Sequence, residues 1–301
     1  MCFHVLLIFC SLDFMFIGAH ISAAGSVANT PLNAKKQGCE CYQFFSRPPQ
    51  GGQAPLLSEN EIGKFKNNNK KYGFNRYYIH APYFINLASA NNRIYHSSIS
   101  VLKKELERGS LLGAKFLMTH LGSARDLGEA EALKKVIRGI EKVLTGYTGS
   151  TQFLIELSAG SGQIIGDSFK EISHIIKEIE KSKIINHQSK INVCFDTAHA
   201  FESGYDLRDG QAVKKTFAEF DKTTGLEKLK LIHLNDSKTA LGSRSDRHAD
   251  IGDGEIGLAG FSALIKFIKN KKLDIDLILE TPTDSRRKKD IQTLKQIRDQ
   301  R

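Results

Sequence analysis

Eight short runs of β-favouring residues punctuate the chain, each followed by a loop and a stretch whose apolar residues recur at helical spacing. That alternation is what a parallel sheet with crossover helices requires. The runs cover residues 16–21, 40–45, 77–80, 114–120, 153–156, 191–196, 230–233 and 275–280. Between them, spacings such as Ile172, Ile175, Ile176, Ile179 and Leu258, Phe261, Leu264, Ile265, Ile268 suit amphipathic helices packed outside a barrel. Successive runs lie on the scale of one β-α-β unit, roughly 30 residues or more, so no interdomain linker is needed. A doubly wound sheet is the alternative, but no Gly-x-Gly-x-x-Gly turn follows the first run, which removes its commonest ligand signature. The expected fold is α/β: a single (β/α)8 TIM barrel over residues 15–301, with its active site at the C-terminal rim of the strands.

Residues 1–16 are apolar but make a poor secretory signal, because the first Lys or Arg is Lys35 and Asp13 interrupts the run. The stretch is also shorter than the roughly 18 apolar residues that span a bilayer. Residues 1–14 are therefore expected to be an upstream extension outside the fold, with Met15 as the natural start. The five cysteines (Cys2, Cys10, Cys39, Cys41, Cys194) have no Cys-x-x-Cys spacing, which fits a reducing, cytoplasmic compartment and no disulfide framework. A net charge of +10 favours a polyanionic partner such as nucleic acid, or reflects ordinary lysine-rich solubility; charge alone leaves both open.

Six consecutive runs, the third to the eighth, end in His80, His120, Glu156, Asp196, His233 and Glu280. If the strands close, three imidazoles and three carboxylates converge on one rim, where barrel enzymes place their chemistry. Unpaired carboxylates packed together raise one another's pKa, whereas divalent metal neutralises them and accepts nitrogen and oxygen donors alike. His199, three residues past Asp196, and Asp246 and His248 in the loop after the seventh run bring the candidate ligands to nine. His20 ends the first run on the same rim and is expected behind the ligands. His4, His96, His174 and His187 fall in the extension, a loop or helical stretches and are expected to be surface or packing residues.

These motifs resemble the endonuclease IV family of apurinic/apyrimidinic DNA endonucleases over nearly the whole chain from Met15. The segments that carry the resemblance are residues 17–25, 80–87, 194–201, 204–207 and 233–257, the last reading HLNDSK, then GSRSDRH and GDGEIG. The resemblance implies three zinc ions, with manganese as an option at one position: His80, His120 and Glu156 on the first, Glu156 bridging to a second held by Asp196, His233 and Glu280, and His199, Asp246 and His248 on the third. It makes Glu156 and Glu280 catalytic. It also implies a monomer that acts on double-stranded DNA at abasic sites, cutting on the 5′ side to leave a 3′-hydroxyl and a 5′-deoxyribose phosphate. Tyr83 and Phe84 match positions that probe the damaged duplex, Arg47 lies in a loop that corresponds to a DNA-contacting one, and Lys238, Arg244 and Arg247 are expected either to contact phosphate or to balance the local carboxylates. The 46–50 loop, Leu121 and the Leu157-Ser158 pair depart from the family's usual residues. A sugar isomerase or epimerase of the xylose isomerase type is the enzymatic rival, with one or two metals, and a non-catalytic DNA-binding barrel is the other.

Overall fold

The computed structural model describes residues 15–182 and 191–300. Its strands are β1 (Ile17–His20), β2 (Tyr42–Phe44), β3 (Tyr77–His80), β4 (Phe116–Thr119), β5 (Gln152–Glu156), β6 (Asn192–Asp196), β7 (Leu229–His233), the two-residue β8 (Asp236–Ser237) and β9 (His248–Ala249), and β10 (Asp276–Leu279). All but β8 and β9 pair in parallel and close into an eight-stranded barrel, with β10 lying between β7 and β1. Helices α1 (Thr30–Gln37), α2 (Glu59–Tyr72), α3 (Asn92–Leu112), α4 (Glu129–Leu144), α5 (Phe169–Lys181), α6 (Thr197–Glu202), α7 (Gly210–Thr223), α8 (Gly257–Lys271) and α9 (Asp284–Asp299) connect them. The expected barrel is the observed one. Strands β4 and β10 stop short of their sequence runs, so His120 and Glu280 are the first residues beyond them. The expected extension at residues 1–14, and with it Cys2, Cys10 and His4, lies outside the described residues, as does His187.

Side chains alternate across a strand, and that period places the site. Cys41, Tyr78, Phe116, Met118, Leu154, Cys194, Leu231 and Ile278 form a separate cluster inside the barrel. The residues between or beside them (Tyr42, Ile79, Leu117, Ile155, Phe195, Ile232, Leu279) join the larger core under the helices. Two residues beyond an inward apolar side chain, the next inward position is polar: Gln43 follows Cys41, His80 follows Tyr78, His120 follows Met118, Glu156 follows Leu154, Asp196 follows Cys194, His233 follows Leu231 and Glu280 follows Ile278. On β1 the corresponding step runs from Gly18 to His20. A Cβ on Gly18 would sit 1.8 Å from the Cys41 carbonyl oxygen, so only glycine lets β1 lie this close.

The two sequence-read helices are α5 and α8, although Leu258, expected on the buried stripe of α8, is 44% exposed at its first turn. His96 and His174 are exposed on α3 and α5, as expected. Among the described residues no helix is long and apolar enough to cross a membrane.

Candidate metal centre

The polar layer at the top of the barrel gathers into three groups whose ligand-type atoms all lie within 4.8 Å of one another. His80, His120 and Glu156 make the first, Glu156, Asp196, His233 and Glu280 the second, and Asp196, His199 and His248 the third. Glu156 sits between two of them. Its Oε2 is 2.8 Å from His80 Nε2 and 3.5 Å from His120 Nε2, while its Oε1 is 2.8 Å from His233 Nδ1. His233 Nδ1 is also 3.2 Å from Glu280 Oε2. Asp246 is half out in solvent, with Oδ1 3.4 Å from His199 Nε2 and 3.8 Å from His248 Nε2. The structure thus brings together all nine expected ligand residues, with Asp196 also reaching the third group, 3.8 Å from His248 Nε2.

The imidazoles are aimed from behind. His80 Nδ1 faces the Ala81 carbonyl at 2.6 Å, His199 Nδ1 the Leu157 carbonyl at 2.9 Å, and His233 Nε2 the Gln43 Oε1 at 2.8 Å. Each is left with one nitrogen turned to the cluster, which is how a protein presents histidine to a metal. His199 Nε2 and His248 Nε2 face each other at 3.2 Å, two nitrogens pointed into one small space. Such a donor set fits a shared cation. The set is three to four nitrogen and oxygen donors per group, which suits zinc as well as other borderline divalent ions.

The electrostatics agree with that fit. Burial opposes charge on Glu156, but His120, His233 and His80 overcome it and hold the carboxyl well below its usual range. Burial likewise opposes the charged form of His199, yet Asp196, Asp246 and Glu156 raise it to about 10. The bond to His199, against burial, lowers Asp246 to about 2. Clustered carboxylates thus create a field that stabilises positive charge where the three groups meet.

Sequence reasoning missed the residues that hold this layer. Gln43 accepts from His233 and donates through Nε2 to Glu280 Oε1 at 2.7 Å, and the same Nε2 lies 2.9 Å from His20 Nδ1. His20, expected behind the ligands, is 3.4 Å from Glu280 Oε1. Asn235 donates to Asp196 Oδ2 at 2.6 Å and accepts the Glu280 backbone N–H at 2.8 Å. Asp196 itself caps α6 by accepting the His199 N–H at 2.9 Å, so one residue starts the helix that carries the next candidate ligand. Counting inward positions along β2 would have found Gln43.

A groove of about 1590 Å³ runs across the cluster. Tyr83, Phe84 and Arg47 line it beside His80, His120, His199, Asp246, His248 and Glu280. Tyr83 is 64% exposed, and Phe84 is half-buried under the Arg47 guanidinium, 5.6 Å from its ring. Lys238, Arg244 and Arg247 belong to the β8–β9 hairpin and are not among the groove's lining residues. Arg244 instead bonds the Gly160 carbonyl and Asp167, Arg247 bonds the Asp246 carbonyl, and the exposed Lys238 side chain faces solvent.

Comparison with known proteins separates the rival readings. A family model described as a xylose isomerase-like TIM barrel matches residues 32–299. A "Probable endonuclease 4" of Nitrosopumilus maritimus is 40% identical over 276 residues, covering 91% of this chain and 95% of that protein. One from Halothermothrix orenii is 38% identical and covers 94% of this chain and 99% of its own. The crystal structure of endonuclease IV from Thermus thermophilus superposes with a TM-score of 0.80 at 26% identity, over 94% of this chain and 98% of that one. A D-tagatose 3-epimerase-like protein shares the fold at a TM-score of 0.70 but only 17% identity. With the epimerase likeness confined to the fold and the endonuclease likeness extending through the sequence, the chain belongs to the endonuclease IV family of apurinic/apyrimidinic DNA endonucleases, DNA-cleaving hydrolases on a TIM barrel.

Proposed function

We propose that this chain is a zinc-dependent endonuclease of base excision repair, which hydrolyses the phosphodiester 5′ to an abasic site and leaves a 3′-hydroxyl and a 5′-deoxyribose phosphate. The observation that carries the reading is the position of Glu156 between two donor groups, one oxygen turned to each. His80, His120 and Glu156 would hold one zinc, Glu156, Asp196, His233 and Glu280 a second, and His199, Asp246 and His248 a third, with Asp196 in reach of the last. Manganese is an option at one position. When bound, such ions supply the Lewis acidity that lets a water lose its proton near neutral pH and that neutralises the phosphate oxygens.

The chain's own residues set the geometry. Glu156 fixes the separation of the two groups it faces, and Glu280, the other proposed catalytic carboxylate, is steered by Gln43 and His20. Attack forms a bond from water oxygen to phosphorus, and the bond from phosphorus to the 3′ oxygen breaks. Abasic DNA offers no base to read and is told apart by its poorly stacked, easily bent gap. Tyr83 and Phe84 stand on the groove wall beside the cluster, where an apolar wedge would keep that gap open. Arg47 on the wall, and Lys238, Arg244 and Arg247 on the hairpin beside it, are the proposed phosphate contacts. The protein acts as a monomer in a reducing, cytoplasmic compartment, in keeping with three buried, unpaired cysteines at 39, 41 and 194.

The test is a duplex carrying one synthetic abasic site. The wild-type protein is expected to incise it 5′ to the lesion, and chelator to abolish the incision. Glu156→Gln is expected to bind the same duplex yet lose nearly all cutting. Normal cleavage by that variant would remove the bridging role, and a metal content of one ion per chain would overturn the three-zinc assignment.

A further inference from the structure

Glu105 on α3 is fully buried yet takes no part in the metal cluster. Burying a carboxylate is costly unless it is paired and hydrogen-bonded, so its partners show what the cost supports. Glu105 Oε2 accepts from the Ser46 hydroxyl. Arg108, one helical turn on, lies 3.6 Å from Glu105 Oε1 and donates through Nε to the same Ser46 hydroxyl at 2.7 Å. Its other two nitrogens donate to the Ser46 and Pro55 carbonyls. Ser46 and Pro55 both belong to the loop that follows β2, so a single guanidinium ties two points of that loop together at the wall of the groove, which all three residues line.

The loop in turn grips the segment after β3. The Tyr83 N–H donates to the Pro49 carbonyl at 3.0 Å, the Phe45 ring meets the Tyr83 ring edge-on at 5.1 Å, and Arg47 covers Phe84. A continuous path of contacts therefore joins a buried helix carboxylate to the exposed aromatic on the groove wall.

We infer that Glu105 and Arg108 are positioning residues for DNA: by tying two points of the 46–55 loop together they set Tyr83 and Phe84 at the height needed to enter the gap of an abasic duplex. The inference rests on the proposed role of those two aromatics. An arginine is required because its planar fork reaches both points at once, whereas a lysine is a single point donor.

The experiment has two arms, both on the full chain. In the first, incision kinetics on the abasic duplex are compared for wild type, Arg108→Ala and Arg108→Lys. KM is expected to rise about tenfold or more in both variants with kcat and metal content little changed, the pattern of lost binding that is common to ground and transition state. Equal KM values, or full rescue by lysine, overturn the inference. In the second arm, hydrogen exchange of the free protein reads the loop without any DNA. Arg108→Ala is expected to speed exchange across residues 46–57 and at the Tyr83 amide, and unchanged exchange at Tyr83 breaks the proposed path. If Arg108→Ala does not fold, Ser46→Ala removes the hydroxyl relay alone, and its KM and Tyr83 exchange decide by the same criteria. Failure of wild type to cut abasic DNA with the exchange result intact would refute the proposed function and leave the clamp standing.

Discussion

An imidazole binds metal through one nitrogen, and whatever occupies the other decides how the ring is aimed. For His233 that partner is Gln43, whose amide also holds Glu280 and His20, so one neutral side chain fixes three members of the polar layer. Gln43→Ala is therefore expected to lower incision kcat by roughly 10–100-fold and to weaken metal retention through dialysis, the usual scale for removing a group behind a ligand; unchanged kcat and metal content would make Gln43 a bystander. A second residue-scale expectation concerns the thiols. Burial pushes Cys39 and Cys194 up to about 12 and Cys41 well above its ordinary value, so almost no thiolate forms at mildly alkaline pH. Iodoacetamide should label these three positions only after denaturation, as read by peptide mass spectrometry, and rapid native labelling would contradict their burial. Six of the candidate ligands were legible in the sequence because their residue types recur at strand ends, and His199, Asp246 and His248 because they follow the sixth and seventh of those runs in the chain. Gln43 was passed over because an amide is no metal ligand, and only the inward count along β2 picks it out.

At the scale of elements, the eight barrel strands were legible because strands buried on both faces read as short apolar runs. The β8–β9 hairpin was not: two residues per strand are too few to carry a pattern. What holds the hairpin is a carboxylate. Buried Asp236 in β8 accepts the backbone N–H groups of Ser237, Gly252, Gly254, Ile256 and Gly257, and so ties the strand to the segment leading into α8. Gly254 has no room for a side chain, because a Cβ there would lie 2.3 Å from the Ser237 carbonyl oxygen. Asp236→Asn keeps the volume but turns an amide nitrogen toward backbone donors, leaving buried N–H groups without acceptors. The expected cost is about 3 kcal/mol, read from the urea midpoint. Asp246 and His248 ride on this hairpin, so the variant should also weaken metal retention at the proposed His199, Asp246 and His248 site before the other two proposed sites. A stable variant with full metal content would show that the hairpin is held by other contacts. The loop after β2 was legible from its Pro and Gly content, but its anchor was not, since Arg108 lies 62 residues from Ser46 in the chain.

Across the whole molecule, a charge of +10 left two explanations open, and the shape of the groove favours one of them. Lys36 on α1 and Lys288 on α9 line the groove that crosses the cluster, both exposed and, among the described residues, without a carboxylate partner. Arg47, on the β2–α2 loop, lines it too. Exposed ammonium groups that only confer solubility have no reason to be placed beside a cleft leading to the candidate metals, whereas a DNA backbone crossing the cleft would neutralise them and release counterions. The expected signature is a linear fall of log affinity for an abasic duplex with log salt concentration. Each lysine that contacts a phosphate contributes roughly 0.9 to that slope, so Lys36→Ala together with Lys288→Ala should flatten it by about 2 while leaving metal content unchanged. An identical slope in the double variant would assign these two lysines to solubility and route the DNA along the hairpin, where Lys238 faces solvent.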